Sequence, residues 1–290
     1  MKRCLYCQAN HDAESWECPH CNNAPVTLQG KPSFAPDLAK QCSGFRPEYF
    51  ATLASLEQQN FWFTARNRLI LWAIEKHFVD FDSCLEIGCG TGFVLSGIAQ
   101  SFPGRRYAGS EVYSEGLSFA EKRLPRGTSL FQMDARKMPF DAEWSLIAAC
   151  DVLEHIDDDE GALREIHRSL RPGGGLLLTV PQHQWMWSKQ DDHACHVRRY
   201  SRESLLVKMQ NAGFEILGAT SFVSLLLPAM WLSRRVQTQT TTTLDPMREL
   251  RLACWLNTSL GYVMSVERQL IQWGVNMPVG GSLLVFARKI

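Results

Sequence analysis

No stretch of this 290-residue sequence approaches the ~20 uninterrupted apolar residues that a membrane-spanning helix requires. Neither sign of charge is in surplus: 30 Lys and Arg balance 30 Asp and Glu, which excludes a protein that coats nucleic acid by bulk charge. Internal repeats are absent, and the one low-complexity piece is the Thr/Gln run Gln237–Thr243, expected to form a loop. The N-terminus, Met1-Lys2-Arg3-Cys4, begins basic, but no apolar segment follows it, so a secretory leader is not expected. A cytoplasmic chain with reduced cysteines is the expectation, and 45% hydrophobic content is ample for a sizeable core.

Cysteine, by contrast, is plentiful, and four of the ten are ordered. Cys4-x-x-Cys7 and Cys18-Pro-His-Cys21 form two close pairs ten residues apart, the usual way to present four thiolates to a tetrahedral zinc ion. The surrounding residues hold too few apolar groups to fold alone, so the metal would supply the folding energy. Four protein ligands leave no open coordination position, so the role is structural. Residues 1–25 are therefore expected to be a zinc ribbon, and 26–45, with two prolines and two glycines, a linker. This leader carries four basic and four acidic side chains, a poor nucleic-acid grip. The remaining cysteines, Cys42, Cys84, Cys89, Cys150, Cys195 and Cys254, are scattered, as small buried hydrophobes are.

From Arg46 onward helical and extended patterns alternate. Helices are expected over 47–58, 60–78, 92–101, 114–123, 160–170 and 202–212. Strands are expected over 84–87, 106–111, 129–133, 145–150, 175–180, 214–221 and 282–288. That alternation implies an α/β domain, 46–290, with a parallel sheet covered on both faces. Residues 222–280 form a helical insertion before the last strand, with five arginines against three acids.

Chemistry concentrates at the carboxyl ends of these strands. Leu85-Glu86-Ile87-Gly88-Cys89-Gly90-Thr91-Gly92 is a glycine-rich turn between a strand and a helix, where backbone can approach a ligand closely. Glu86 can hold an ammonium group. Glu111 ends the next strand, where a carboxylate can accept two ribose hydroxyls. Asp134 follows the third strand, where an acid can read an adenine amine, with Ala135 offering backbone.

Together with Asp151-Val-Leu-Glu-His-Ile156 and Leu170-Arg-Pro-Gly-Gly-Gly-Leu-Leu-Leu-Thr-Val-Pro181, these segments resemble class I S-adenosylmethionine-dependent methyltransferases. The resemblance covers residues 60–222 and the final strand. It implies a Rossmann-like seven-stranded sheet in the order 3-2-1-4-5-7-6, with strand 7 alone antiparallel. By position it implies that Gly88, Cys89, Gly90 and Gly92 line the methionine portion of the cofactor, that Glu111 binds its ribose and that Asp134 binds its adenine. Cys150 and Asp151 would lie beside the methionine amine and the transferred methyl. Arg66 or Trp62, in the preceding helix, would close over the cofactor or face solvent.

For the acceptor, His155 and the segment Asp191-Asp192-His193-Ala-Cys195-His196-Val-Arg198-Arg199-Tyr200 stand out. His155, His193 and His196 are the candidate bases. The segment is similar to a lid in methyltransferases of small molecules and glycolipids, so Arg198 and Tyr200 are expected to face the acceptor or brace the lid. Arg198 and Arg199 pairing with Asp191, Asp192 or nearby acids is the plainer alternative. Asp157-Asp158-Asp159 fits an acidic helix start. Phe222–Leu232 is apolar and followed by Arg234 and Arg235; it could lie on a membrane surface between 222 and 235, or bury against the sheet or a second copy. The expected activity is methyl transfer to oxygen or nitrogen of a small-molecule or lipid-like acceptor, with nucleic acid not expected. A zinc-ribbon RNA methyltransferase and a non-catalytic binding subunit are the alternatives.

Overall fold

The computed structural model describes residues 1–40, 48–237 and 251–290. Cys42, residue 47 of the first expected helix, residues 41–45 of the expected linker and positions 238–243 of the Thr/Gln run lie outside the described residues. So do the side chains of residues 235–237.

The strands are β1 (Lys2–Arg3), β2 (Asn10–His11), β3 (Val26–Leu28), β4 (Lys31–Ser33), β5 (Ser83–Ile87), β6 (Arg106–Glu111), β7 (Ser129–Gln132), β8 (Trp144–Cys150), β9 (Leu170–Pro181), β10 (Phe214–Phe222) and β11 (Ser282–Lys289). The helices are α1 (Tyr49–Leu56), α2 (Phe61–His77), α3 (Phe93–Ser101), α4 (Ser114–Arg123), α5 (Asp159–Ser169), α6 (Lys189–His193), α7 (Arg202–Asn211), α8 (Leu227–Gln237) and α9 (Cys254–Gln272).

The central sheet runs β3-β4-β7-β6-β5-β8-β9-β11-β10. Its seven inner and right-hand strands keep the expected order, and of these only β11 is antiparallel to its neighbours. Among the described residues the sheet has nine strands, however, because residues 26–33 are a hairpin rather than a free linker. β4 meets β7 in parallel at Ser33 and Gln132. The buried Gln132 side chain does the joining: its Oε1 accepts Ser33 Oγ (2.6 Å) and Ala35 N (3.2 Å), and its Nε2 donates to Ala35 O (2.8 Å) and Val112 O (2.9 Å). A polar hairpin held by side-chain bonds of this kind has no apolar period to betray it.

Because β5, β8 and β9 are covered on both sides, alternate residues fill two cores. Cys84, Leu146 and Leu177 face a layer of α2, α3, α4 and α9. Leu85, Ile147 and Leu178 face α5 and α7. The ribbon joins this second core through Trp16, edge-on to Phe34 (4.9 Å), Phe131 (5.4 Å) and Phe140 (5.9 Å) between ring centroids. Arg3 N donates to Pro139 O (3.0 Å) and Asn10 Nδ2 to Asp141 Oδ2 (2.8 Å), so the ribbon is docked on the domain.

In the insertion, α9 lies against α2, and Asn257 fastens the two. Asn257 Oδ1 accepts Phe61 N (2.8 Å) and its Nδ2 donates to Gln59 O (2.8 Å). Glu267 is 1% exposed and collects three backbone N–H groups, from Val223 (2.6 Å), Ser224 (2.7 Å) and Leu225 (2.7 Å). It thereby ties α9 to the chain leaving β10. Glu267→Gln places an amide donor against those donors, and a loss of about 2–3 kcal/mol in denaturant stability is expected. An unchanged midpoint would show that the three bonds are replaceable. Arg234 does not extend toward solvent: it bonds Met186 O and lies 3.9 Å from Asp191, so it offers nothing to a lipid headgroup.

Candidate functional site

The glycine loop crosses from β5 to α3 with Gly88, Gly90 and Gly92 all at positive φ (64°, 50° and 76°), a path L side chains adopt only under strain. Glu111, ending β6, holds the loop: Oε2 accepts Gly90 N (3.0 Å), and Oε1 accepts Val112 N (2.8 Å) and Tyr113 N (3.3 Å). Oε2 keeps a lone pair for a hydroxyl donor, so the group fits a ribose hydroxyl. Glu86, 2% exposed, accepts Leu95 N (2.9 Å). Burial pushes its carboxyl up to about 8, against the pull of Arg66, so an incoming ammonium would be well matched to it.

The sign of that shift is testable on the free protein. Between pH 5 and 8 the folded chain retains a proton on Glu86 that the unfolded chain releases, so stability falls as pH rises. Glu86→Gln removes the dependence. The wild type is expected to lose on the order of 2–4 kcal/mol relative to Glu86→Gln across that window. Parallel denaturation curves would mean that Glu86 is already ionised.

Helix α1 covers the loop, which the sequence did not reveal. Phe50 is 4% exposed, and a Cβ on Gly90 would lie 3.7 Å from its ring. Glu57 anchors the helix, accepting from Thr91 Oγ1 (2.6 Å) and Arg123 Nη1 (2.6 Å), while Arg123 Nη2 donates to Ala54 O (3.1 Å). These partners lie 34 to 69 residues apart, beyond any local motif.

The other expected residues divide by what their side chains touch. Cys89, Ala135 and Cys150 are core packing, so only their backbone can face a cofactor; burial pushes both thiols well up. Asp134 is already forked by Arg136 Nε at 3.0 and 3.1 Å, a partner not foreseen. Arg66 is buried on α2, bonds Asp151 and stacks over Trp62 (4.5 Å) and Phe63 (5.6 Å), closing the end of β8 rather than facing solvent. Asp151 reaches it from φ 57°.

On the acceptor side, the structure unites His155 with His196, ring centroids 4.8 Å apart, and leaves His193 exposed at the end of α6. Asp191, two residues earlier, turns the opposite face of that short helix inward, which leaves His193 on the outer face. Arg198 and Tyr200 brace the lid rather than face an acceptor: Arg198 pairs with Asp159 (2.6 Å), and Tyr200 Oη donates to the same carboxylate (2.7 Å). Lys208 also bonds Asp159 (2.7 Å), so Asp159 is a buried hub. Asp158 caps α5 by accepting Gly161 N (2.9 Å), as its acidic start implied.

In the ribbon, one sulfur from each of Cys4, Cys7, Cys18 and Cys21 lies within 4.8 Å of the others. The Cys4–Cys21 and Cys7–Cys18 sulfurs are 3.6 Å apart, close to the about 3.8 Å edge of a tetrahedron with 2.3 Å metal–sulfur bonds. The geometry fits a four-thiolate metal site. Elsewhere, two shallow surface depressions of about 310 and 460 Å³ flank β7 and the α4 edge, away from the glycine loop.

Comparison with known proteins agrees with this geometry. The family model described as Methyltransferase domain matches residues 54–219. A Mycolicibacterium smegmatis protein named "Probable S-adenosylmethionine-dependent methyltransferase" is 27% identical over 168 residues, 57% of this chain and 63% of that protein. A fatty-acid O-methyltransferase of the same organism is 33% identical over 97 residues, covering 33% of this chain and 35% of its own length. The demethylmenaquinone methyltransferase of Chlamydia caviae is 30% identical over 153 residues, covering 50% and 63%. The match thus spans less than two thirds of each of these relatives. The cyclase SpnF superposes with a TM-score of 0.53 at 22% identity over 79% of this chain and 82% of its own. Phosphoethanolamine N-methyltransferase 2 of Haemonchus contortus does so at 0.50 and 18%, over 76% and 52%. No helix among the described residues is long and apolar enough to cross a membrane. With a family model spanning more than half of its length and a glycine loop, acids and sheet order to match, the chain belongs to the methyltransferase domain family, on the class I fold.

Proposed function

We propose that the chain transfers a methyl group from S-adenosylmethionine to an oxygen or nitrogen of a small acceptor with an apolar, lipid-like body, and that residues 1–25 carry one structural zinc ion. When bound, the cofactor supplies an activated methyl on a sulfonium, so the protein's task is orientation. The backbone of Gly88 to Gly92 receives the methionine portion, Glu86 its ammonium and Glu111 the ribose. Arg66 and Asp151 close the end of β8, and Phe50 with α1 excludes water from the loop.

The acceptor class rests on one observation. The insertion helices and the turn after α9 leave large apolar groups in solvent: Leu232 is 59% exposed, Trp255 72%, Tyr262 72% and Trp273 74%. Aromatic side chains displayed this way suit a bilayer interface or a lipid-like ligand. Relatives named for fatty acid and demethylmenaquinone support the same class; one named for trans-aconitate keeps small acids within range. A cytoplasmic chain resting peripherally on the inner membrane face is the corresponding location.

The deciding experiment incubates the protein with methyl-labelled S-adenosylmethionine and a host extract separated into lipid, RNA, protein and aqueous small-molecule fractions. Label in the lipid or aqueous fraction supports the reading, and label in RNA overturns it. Flotation with anionic vesicles tests the surface, and sedimentation would reveal a homodimer through the same face instead.

A further inference from the structure

Glu154 has no place in the cofactor cradle. It sits in the single turn Leu153–His155 after β8, 0% exposed, and neither carboxylate oxygen has a hydrogen-bond partner. A buried carboxyl left this way is costly whether ionised or protonated. Burial, reinforced by Asp151, pushes it well above the usual carboxylate range. Two imidazoles accompany it: one ligand atom each from Glu154, His155 and His196 lie within 4.8 Å of one another.

The cluster is held as metal sites are held. His196 Nδ1 bonds Asp191 Oδ1 at 2.8 Å, which leaves Nε2 as its donor atom. A carboxylate behind a histidine is the outer support that orients metal-bound imidazoles. Asp191 is itself fixed by Arg199 (2.7 Å) and by Ser188 N (2.8 Å). Val197 N donates to Glu154 O (2.7 Å), which locks the two segments in register. A contraction of at most about 1.4 Å by side-chain rotation would bring the three atoms to the roughly 3.4 Å edges of a site with 2.1 Å bonds.

We propose that Glu154, His155 and His196 hold a divalent first-row transition cation, with zinc best matched to the donor set, and that its open coordination position takes an oxygen of the acceptor. Two histidines and one carboxylate with a vacant position are the donor set of catalytic rather than structural cations. The second half of the proposal rests on the methyl-transfer reading above. A hydroxyl on the cation is acidified. Its O–H bond breaks, with the proton passing to solvent. The oxygen then forms the new O–C bond as the C–S bond of the sulfonium breaks and leaves its electron pair on sulfur. An oxygen acceptor is thereby favoured over nitrogen.

The test uses the full chain with its ribbon zinc in place, titrated with Co2+. One equivalent is expected to bind with the weak visible absorption of a histidine and carboxylate site and without thiolate charge-transfer bands, which mark cobalt in the ribbon. Glu154→Gln and His196→Ala are each expected to weaken that binding about 100-fold or more, with ribbon zinc unchanged. Near-UV circular dichroism checks folding, and Glu154→Gln decides if His196→Ala is unfolded. Absence of that cobalt equivalent in the wild type, or wild-type titrations in both variants, overturns the proposal. S-adenosylhomocysteine binding, measured alongside, separates the two readings: its absence sinks methyl transfer whatever cobalt does.

Discussion

Cys18→Ser is expected to unfold residues 1–25 and to destabilise the sheet edge against which they pack. Cys18 is 1% exposed, and its sulfur lies 3.6 Å from that of Cys7. A structural zinc ion in a small thiolate site contributes about 10–16 kcal/mol of apparent binding energy, which is folding energy for a module that cannot bury a core. The ribbon's main apolar contribution, Trp16, is half-buried and packs outside the ribbon, against Phe34 of the hairpin and Phe131 and Phe140 of the domain. Loss of the ribbon therefore strips a half-buried aromatic from the edge of the second core, a change worth less than the ~3–5 kcal/mol that a fully buried aromatic costs. Hydrogen exchange should show lost protection in residues 1–34 and at Ser129–Gln132, with β8, β9 and β11 still protected. Trp16 emission should shift toward that of exposed indole. Stripping the metal with a chelator should reproduce both effects. Full protection of residues 1–34 after stripping would remove the structural role assigned to the metal.

The parts of this molecule that could be read from sequence are those with a local signature. β5, β8 and β11 are apolar runs because both faces are covered, and the glycine loop needs positive φ three times in five residues. Strand order followed from the resemblance those segments carry. What escaped detection is held by distant polar pairs. Gln132 recruits residues 97 to 99 positions away, and Glu267 caps backbone more than 40 residues earlier. Arg198 and Tyr200 have the same spacing whether they face a ligand or brace a loop, so the sequence leaves both open; Asp159, some 40 residues away, bonds both side chains and favours the brace. His193 and His196 are equally good bases on paper. The buried Asp191 carboxylate separates them: it bonds His196, while His193 is left exposed. Glu154 is the extreme case: its sequence context names it as part of a motif, yet only burial without a partner marks it as unusual.

Asp191→Ala should be the most damaging single change in the lid. The Asp191 carboxylate is 1% exposed and collects Arg199 Nε (2.7 Å), His196 Nδ1 (2.8 Å), Ser188 N (2.8 Å) and Ser188 Oγ (3.2 Å). Its removal leaves the Arg199 guanidinium, itself 4% exposed at the side chain, with the Gln182 carbonyl at 3.2 Å but without its carboxylate. Breaking a buried pair from one side costs about 3–5 kcal/mol, chiefly because a charge is stranded. Asp191→Ala/Arg199→Met should accordingly be more stable than the single variant, since it removes the stranded charge as well. The pH dependence separates this from simple loss of packing. Burial opposes ionisation of Asp191, but the His196 bond and the Arg199 charge outweigh it and hold the carboxyl well below its usual range. A carboxyl depressed in the folded state contributes stability above its unfolded value, near 4, and loses it as pH falls toward the folded value. The gap between wild type and Asp191→Ala should therefore be widest at neutral pH and narrow progressively below about pH 4. Chemical denaturation at pH 7 and at two acid values measures it. Parallel curves would mean that the cost is packing alone, and that the lid does not depend on this ionised carboxylate for its shape.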